Sequence, residues 1–153
     1  MSLLESNSPK CDPSLTSFLG STTLHFAVLG DNMEALHSLL QQGLNPNYVN
    51  DFGESALHWA SLKGQPTAIK LLLEAGADVN QPDNDGDTPL HWAIQEGGLN
   101  STAKLLVLSG ASLGARNIDG ITPFQLVFQR CTGVKPTPIR PYRPWRSLPS
   151  LWK

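Results

Sequence analysis

Apolar residues in the middle of the chain fall into short runs with helical spacing, separated by polar turns. In "DTPLHWAI", Leu90, Ala93 and Ile94 lie three and four residues apart, the spacing of one helix face. Thr88 is placed to cap that helix, and Pro89 suits its first position, where a missing amide proton costs nothing. Ser55, Thr122 and Thr22 take the same place in similar runs. A second helix is predicted around Ala68, Ile69, Leu71, Leu72 and Leu73, ending at Gly76, and Gly43 and Gly110 close equivalent runs. Gly53, Gly86 and Gly120 mark a tight turn before each cap.

These runs are copies of one another. "LGSTTLHFAVLGD" starts at Leu19, "FGESALHWASLKG" at Phe52 and "DGDTPLHWAIQEG" at Asp85, shifts of 33 residues, and "DGITPFQLVFQRC" follows at Asp119 after 34. The second halves "LLQQGLNPN", "LLLEAGADVN" and "LLVLSGASLG" align as well. The pattern resembles the ankyrin-repeat family, whose unit is a turn and two antiparallel helices over 33 residues. The resemblance implies an all-α solenoid of stacked helix-turn-helix units joined by β-turn loops. Its repeats would span 17–49, 50–82 and 83–116, with a partial repeat at 117–133. Residues 1–16 would precede the array, and 134–153 would form a proline-rich basic tail. Each unit has apolar surface on more than one side, so stacking is obligatory.

Three departures from the family pattern stand out. Asp31 replaces a helix-ending glycine in the first copy, and the third carries an extra residue near "EGGLNS", expected in the bend between its helices. The fourth stops short: Pro136, Pro138, Pro141, Pro144 and Pro149 exclude an ordinary second helix after Gly133.

A chain of 153 residues is about one domain in size, and 40% hydrophobic content plus 13 glycines is ordinary for a folded one. Cys11 and Cys131 fit no metal-ligand spacing, and no signal-peptide core or membrane-length apolar run occurs, so the cytoplasm or nucleus is expected. The net charge of −2 conceals an asymmetry, because residues 1–119 sum to −8 and residues 120–153 to +6.

The stretch "DNDGDTPLHWA" imitates a calcium loop. Counted from Asp83, the sixth position is Thr88 where glycine is needed and the twelfth is Ile94 where glutamate is needed. The corresponding "NDFGES" and "NIDGIT" keep the turn glycine and not the carboxylates, so a structural turn is the reading. His25, His58 and His91 are one repeat apart, too far for one zinc ion to collect all three. The resemblance implies that each bonds to the neighbouring turn's backbone, with Gln125 taking this place in the last copy. His37 is read as a surface residue, and Trp59 and Trp92 as packed between repeats. No nucleophile elbow, phosphate loop or Cys/His relay occurs, so no catalytic residue, metal or cofactor is expected.

Ankyrin arrays hold partner proteins with their turn tips and the exposed face of the first helices. Carried over position by position, that surface comprises Asp51, Phe52, Glu54, Leu62 and Lys63 of the second copy, and Asn84, Asp85, Asp87, Gln95 and Glu96 of the third. Ile118, Asp119 and Ile121 of the fourth and Leu29 of the first complete it. The surface is acidic, which disfavours nucleic acid and favours a protein with a basic segment. A monomer that does not enter membranes is expected. A non-catalytic interaction module or adaptor is the main reading, with a ubiquitin-ligase substrate adaptor or a stoichiometric inhibitor of an enzyme such as a kinase as alternatives.

The tail has several readings. It could fold back as an irregular cap or compete for the acidic face. Lys135, Pro138, Pro141, Arg143 and Pro144 could instead present a polyproline ligand to a proline-motif-binding domain. "SLPSLW" vaguely resembles the end of a suppressor-of-cytokine-signalling box, without its helical part. It could also be the end of a truncated form, with no separate role.

Overall fold

A computed structural model describes residues 21–97 and 100–134. Those residues form seven helices: α1 (Thr23–Leu29), α2 (Met33–Gln41), α3 (Ala56–Lys63), α4 (Pro66–Glu74), α5 (Pro89–Gly97), α6 (Ser101–Leu108) and α7 (Pro123–Thr132). Within a repeat α1 packs on α2, α3 on α4 and α5 on α6. Between repeats α1, α3, α5 and α7 form one row and α2, α4 and α6 a second. This is the all-α solenoid that the family resemblance implies, and α7 has no second helix beside it among the described residues.

The helices are short because each is stopped at both ends. Thr22, Ser55, Thr88 and Thr122 precede the first helices, and their amides donate to His25 Nδ1 (3.1 Å), His58 Nδ1 (3.0 Å), His91 Nδ1 (3.0 Å) and Gln125 Oε1 (2.8 Å). Gly43, Gly76 and Gly110 have φ near +90° after the second helices. Asp31, standing where Gly64 stands one repeat later, accepts a left-handed φ of 54°. The extra residue expected near "EGGLNS" lies outside the described residues.

The core runs through the stack as one cluster, in which Leu57, Trp59, Ile69, Leu72, Leu90 and Leu106 are fully buried. Trp59 sits edge-on to His25 at 5.1 Å and Trp92 edge-on to His58 at 5.4 Å, so each tryptophan packs against the preceding repeat. His37 is on the surface, within reach of Gln41.

Polar ladders fix the spacing between repeats. His25 Nε2 lies 2.8 Å from the Glu54 carbonyl, His58 Nε2 3.0 Å from that of Asp87, and His91 Nε2 3.0 Å from that of Ile121. Because each Nδ1 accepts an amide proton, the ring proton belongs on Nε2, which donates to the next turn. At the loops after the second helices, Asn47 donates to the Gly76 carbonyl (3.2 Å) and accepts from Asp78 N, and Asn80 repeats this with Gly110 and Ser112. Gly114 follows them in the aligned sequence and carries no side-chain amide to continue the ladder.

Candidate protein-binding face

The turns before the first helices build the face. The turns before α3, α5 and α7 each begin with an Asx residue whose side-chain oxygen closes the loop: Asn50 Oδ1 accepts from Phe52 N and Glu54 N (both 3.0 Å), and Asn117 Oδ1 from Asp119 N and Ile121 N. Asp83 Oδ1 does the same for Asp85 N and Asp87 N, each at 2.9 Å, and Asp83 Oδ2 accepts from Trp92 Nε1 at 3.1 Å. The carboxylate that imitated a calcium ligand is therefore bonded within its own turn.

Successive turns are zipped together. Asn84 N donates to the Phe52 carbonyl and Ile118 N to that of Asp85, both at 2.9 Å. Gly53 and Gly86 are required here for two reasons: φ is 77° and 76°, and a Cβ on either would meet the next turn within 3 Å. The result is a rigid row of tips, spaced by the packing of the helices beneath them.

Asp51, Asn84 and Ile118 are exposed on this row, and Phe52, Asp85, Asp87, Asp119 and Ile121 are half-buried. Glu96 is exposed on the first-helix face, with Gln95, Leu29 and Lys63 half-buried. Asp87 is partly engaged, since its Oδ1 accepts from Asn117 Nδ2 at 2.8 Å.

Two expected contact residues are interior ones. Glu54 is only 4% exposed; its Oε2 accepts from Asn50 Nδ2 (2.9 Å) and Trp59 Nε1 (3.0 Å), so its side chain turns back under the tip. Leu62 belongs to the buried core. Lys63 also plays a structural part, because its Nζ reaches the Leu29 carbonyl at the end of α1 (2.6 Å), where a cation complements the helix dipole. Arg130 does likewise at the end of α5, donating to the Gln95 carbonyl at 2.6 Å. Glu96 occupies the same position in the third repeat, and its charge is of the wrong sign for that bridge. Lys135, Pro138, Pro141, Arg143 and Pro144 lie outside the described residues.

Burial and mutual repulsion set the protonation of this face. Asp83 is pushed up to about 7, first by burial and then by the Asp87 charge, against its hydrogen bonds. Asp87 rises to about 6, first by burial, with Asp85 and Asp119 adding to the shift and the Asn117 bond opposing it. His25, His58 and His91 are lowered to about 4, chiefly by burial, and stay neutral at physiological pH.

A family model for ankyrin repeats (3 copies) matches residues 2–83 and 24–117. The chain belongs to the ankyrin-repeat family. Ankyrin repeats are in general protein–protein interaction modules, typically without catalytic activity. A search of curated proteins finds no match to the chain. Among the described residues, no helix is long and apolar enough to cross a membrane.

Proposed function

We propose that this ankyrin array is a non-catalytic adaptor that holds a protein partner bearing a basic segment across its turn tips. The observation that carries the reading is the row formed by Asp51, Asp85 and Asp119 on three successive tips, locked in register by the Asn84-to-Phe52 and Ile118-to-Asp85 backbone bonds. Fixed like charges with little freedom to lose on binding are suited to steering and orienting an oppositely charged segment. Ile118, 41% exposed among the acids, offers an apolar anchor, and Phe52 and Ile121 flank it half-buried. Glu96 adds one exposed carboxylate to the first-helix face, between Lys63 and Arg130 at the equivalent positions of the neighbouring repeats.

The test is affinity capture from a cell extract with the full chain and with Asp51→Lys/Asp85→Lys/Asp119→Lys. Glu54 and Asp87 are left untouched because their side chains are tied into the fold. Charge reversal is expected to reduce the captured partner at least tenfold while the helical circular dichroism stays unchanged. Equal capture by the two baits would remove the acidic row from the binding face.

A further inference from the structure

The interfaces between repeats differ at the ends of their first helices. The last carbonyls of a helix find no amide within it, and they carry the negative end of its dipole. At the end of α1 the second repeat supplies donors: Lys63 Nζ reaches the Leu29 carbonyl at 2.6 Å, and Gln65 Nε2 the Val28 carbonyl at 3.2 Å. At the end of α5 the last repeat does the same, through Arg130 on the Gln95 carbonyl at 2.6 Å and on that of Glu96 at 3.3 Å.

The end of α3 lies between these two and is built differently. Leu62 holds the position of Leu29 and Gln95 there. Four residues on stands Pro66, which has no amide proton to offer, and no hydrogen bond to the Leu62 carbonyl occurs among the described residues. The position of Lys63 and Arg130 is taken in the third repeat by Glu96, whose carboxylate is an acceptor only. Asn100, which precedes α6 as Gln65 precedes α4, turns its oxygen to Ala103 N at 2.9 Å and caps its own helix. Glu96 is exposed, and no hydrogen bond or ion pair engages its carboxylate among the described residues. A carboxylate and a helix-end carbonyl therefore stand where each flanking interface holds a cation.

We propose that the partner completes this series, seating one lysine or arginine side chain between the ends of α3 and α5, with its donors on the Leu62 carbonyl and its charge against Glu96. The proposal rests on the reading of the array as the holder of a basic segment. It gives that segment an anchor about 12 Å from the tips, the length of the eight-residue α3. Lys63 and Arg130 show that a side chain lying on the first-helix face reaches such a carbonyl, and that an ammonium and a guanidinium both fit. Their own charges stand one repeat away on either side, roughly 8–10 Å and close to a Debye length at physiological salt, so they repel an incoming cation weakly. Glu96 offsets that repulsion. An acidic or apolar side chain gains nothing at this position, which therefore selects for a base.

The test is a nuclear magnetic resonance titration of the full chain with n-butylammonium chloride, a lysine side chain without its backbone, against sodium chloride at equal ionic strength. Saturable amide shifts are expected at residues 62–65 and 95–97 of wild type, at least threefold weaker in Glu96→Gln and absent from Glu96→Lys. The new lysine is expected to reach the Leu62 carbonyl itself, giving Glu96→Lys a higher urea midpoint than Glu96→Gln. Absence of these shifts from wild type, identical shifts in the three proteins, or equal midpoints would overturn the site. Shifts confined to the tips would overturn it and leave the acidic row standing. Capture from extract separates the two readings further, because Glu96→Lys is expected to reduce the captured partner at least tenfold with the tips intact. Loss of capture only on reversing Asp51, Asp85 and Asp119 would keep the row and refute the anchor. Loss only on Glu96→Lys would keep the anchor and refute the row.

Discussion

Replacing His58 with alanine is expected to destabilise the array by about 4 kcal/mol, a large part of the 5–15 kcal/mol that holds an ordinary domain together. The ring is fully buried and serves two turns at once, accepting from Ser55 N at 3.0 Å and meeting the Asp87 carbonyl at 3.0 Å. Alanine would leave both groups without this partner, at about 1–3 kcal/mol each where water cannot enter, and would open a void beside Trp92. His58→Gln should recover roughly half of the loss by the same reasoning. Gln125 shows how: its Oε1 already accepts the Thr122 amide in the ring's place, at 2.8 Å. Urea unfolding followed by circular dichroism measures both variants. If glutamine proves as damaging as alanine, the ring's packing and not its bridging is what matters.

Asp83→Asn should stabilise the protein at pH 8, by roughly 1–3 kcal/mol, and give a much smaller gain at pH 5. Asn50 and Asn117 hold the equivalent position in neighbouring turns, and an amide oxygen closes those loops as well as the Asp83 carboxylate does. A carboxyl whose folded value lies near 7, against 3.8 ordinarily, is a charged liability above pH 7. The liability fades progressively from pH 7 down to 3.8, below which the unfolded chain is protonated as well. At pH 5 about a third of the liability is left, because the unfolded carboxyl is still ionised there, and against it asparagine forfeits the bond from Trp92 Nε1. Thermal unfolding of the two proteins at pH 5 and pH 8 gives the comparison, and a pH-independent difference would mean that Asp83 ionises normally. The histidines act in the opposite direction. With folded values near 4, they remain neutral while the unfolded chain charges below 6.5, so their contribution to stability falls between pH 6.5 and 4. Asp83 and Asp87 partly offset that loss, and the wild type should lose stability on mild acidification less steeply than Asp83→Asn.

The repeat made much of this legible in the sequence. A side chain recurring every 33 residues meets the same neighbours each time, which is why the turn glycines and the inward tryptophans could be read from the repeat, while the histidine bridges were implied by the family resemblance. Depth was harder to read, because positional equivalence does not fix where a side chain goes. Glu54, Asp87 and Ile121 share one register position, yet the longer Glu54 curls inward to Asn50 and Trp59 while Asp87 meets Asn117. Leu62 shares its position with Gln95, and the apolar member of the pair is the one drawn into the core. The Asn47 and Asn80 bridges were visible as a recurrence in "LNPN" and "ADVN", but their partners are backbone groups that leave no trace in side-chain pattern. Lys63 and Arg130 are separated in register by Glu96, so no unbroken series announced the bridge they share.

The most direct measurement is a hydrogen-exchange footprint of the full chain in complex with the partner captured from extract. If the acidic row is the recognition surface, amides at 51–53, 84–86 and 118–120 and those around Gln95 and Glu96 gain protection on binding, and the gain weakens as salt is added. Protection confined to the outer row of α2, α4 and α6, with the tips unchanged, would contradict the account.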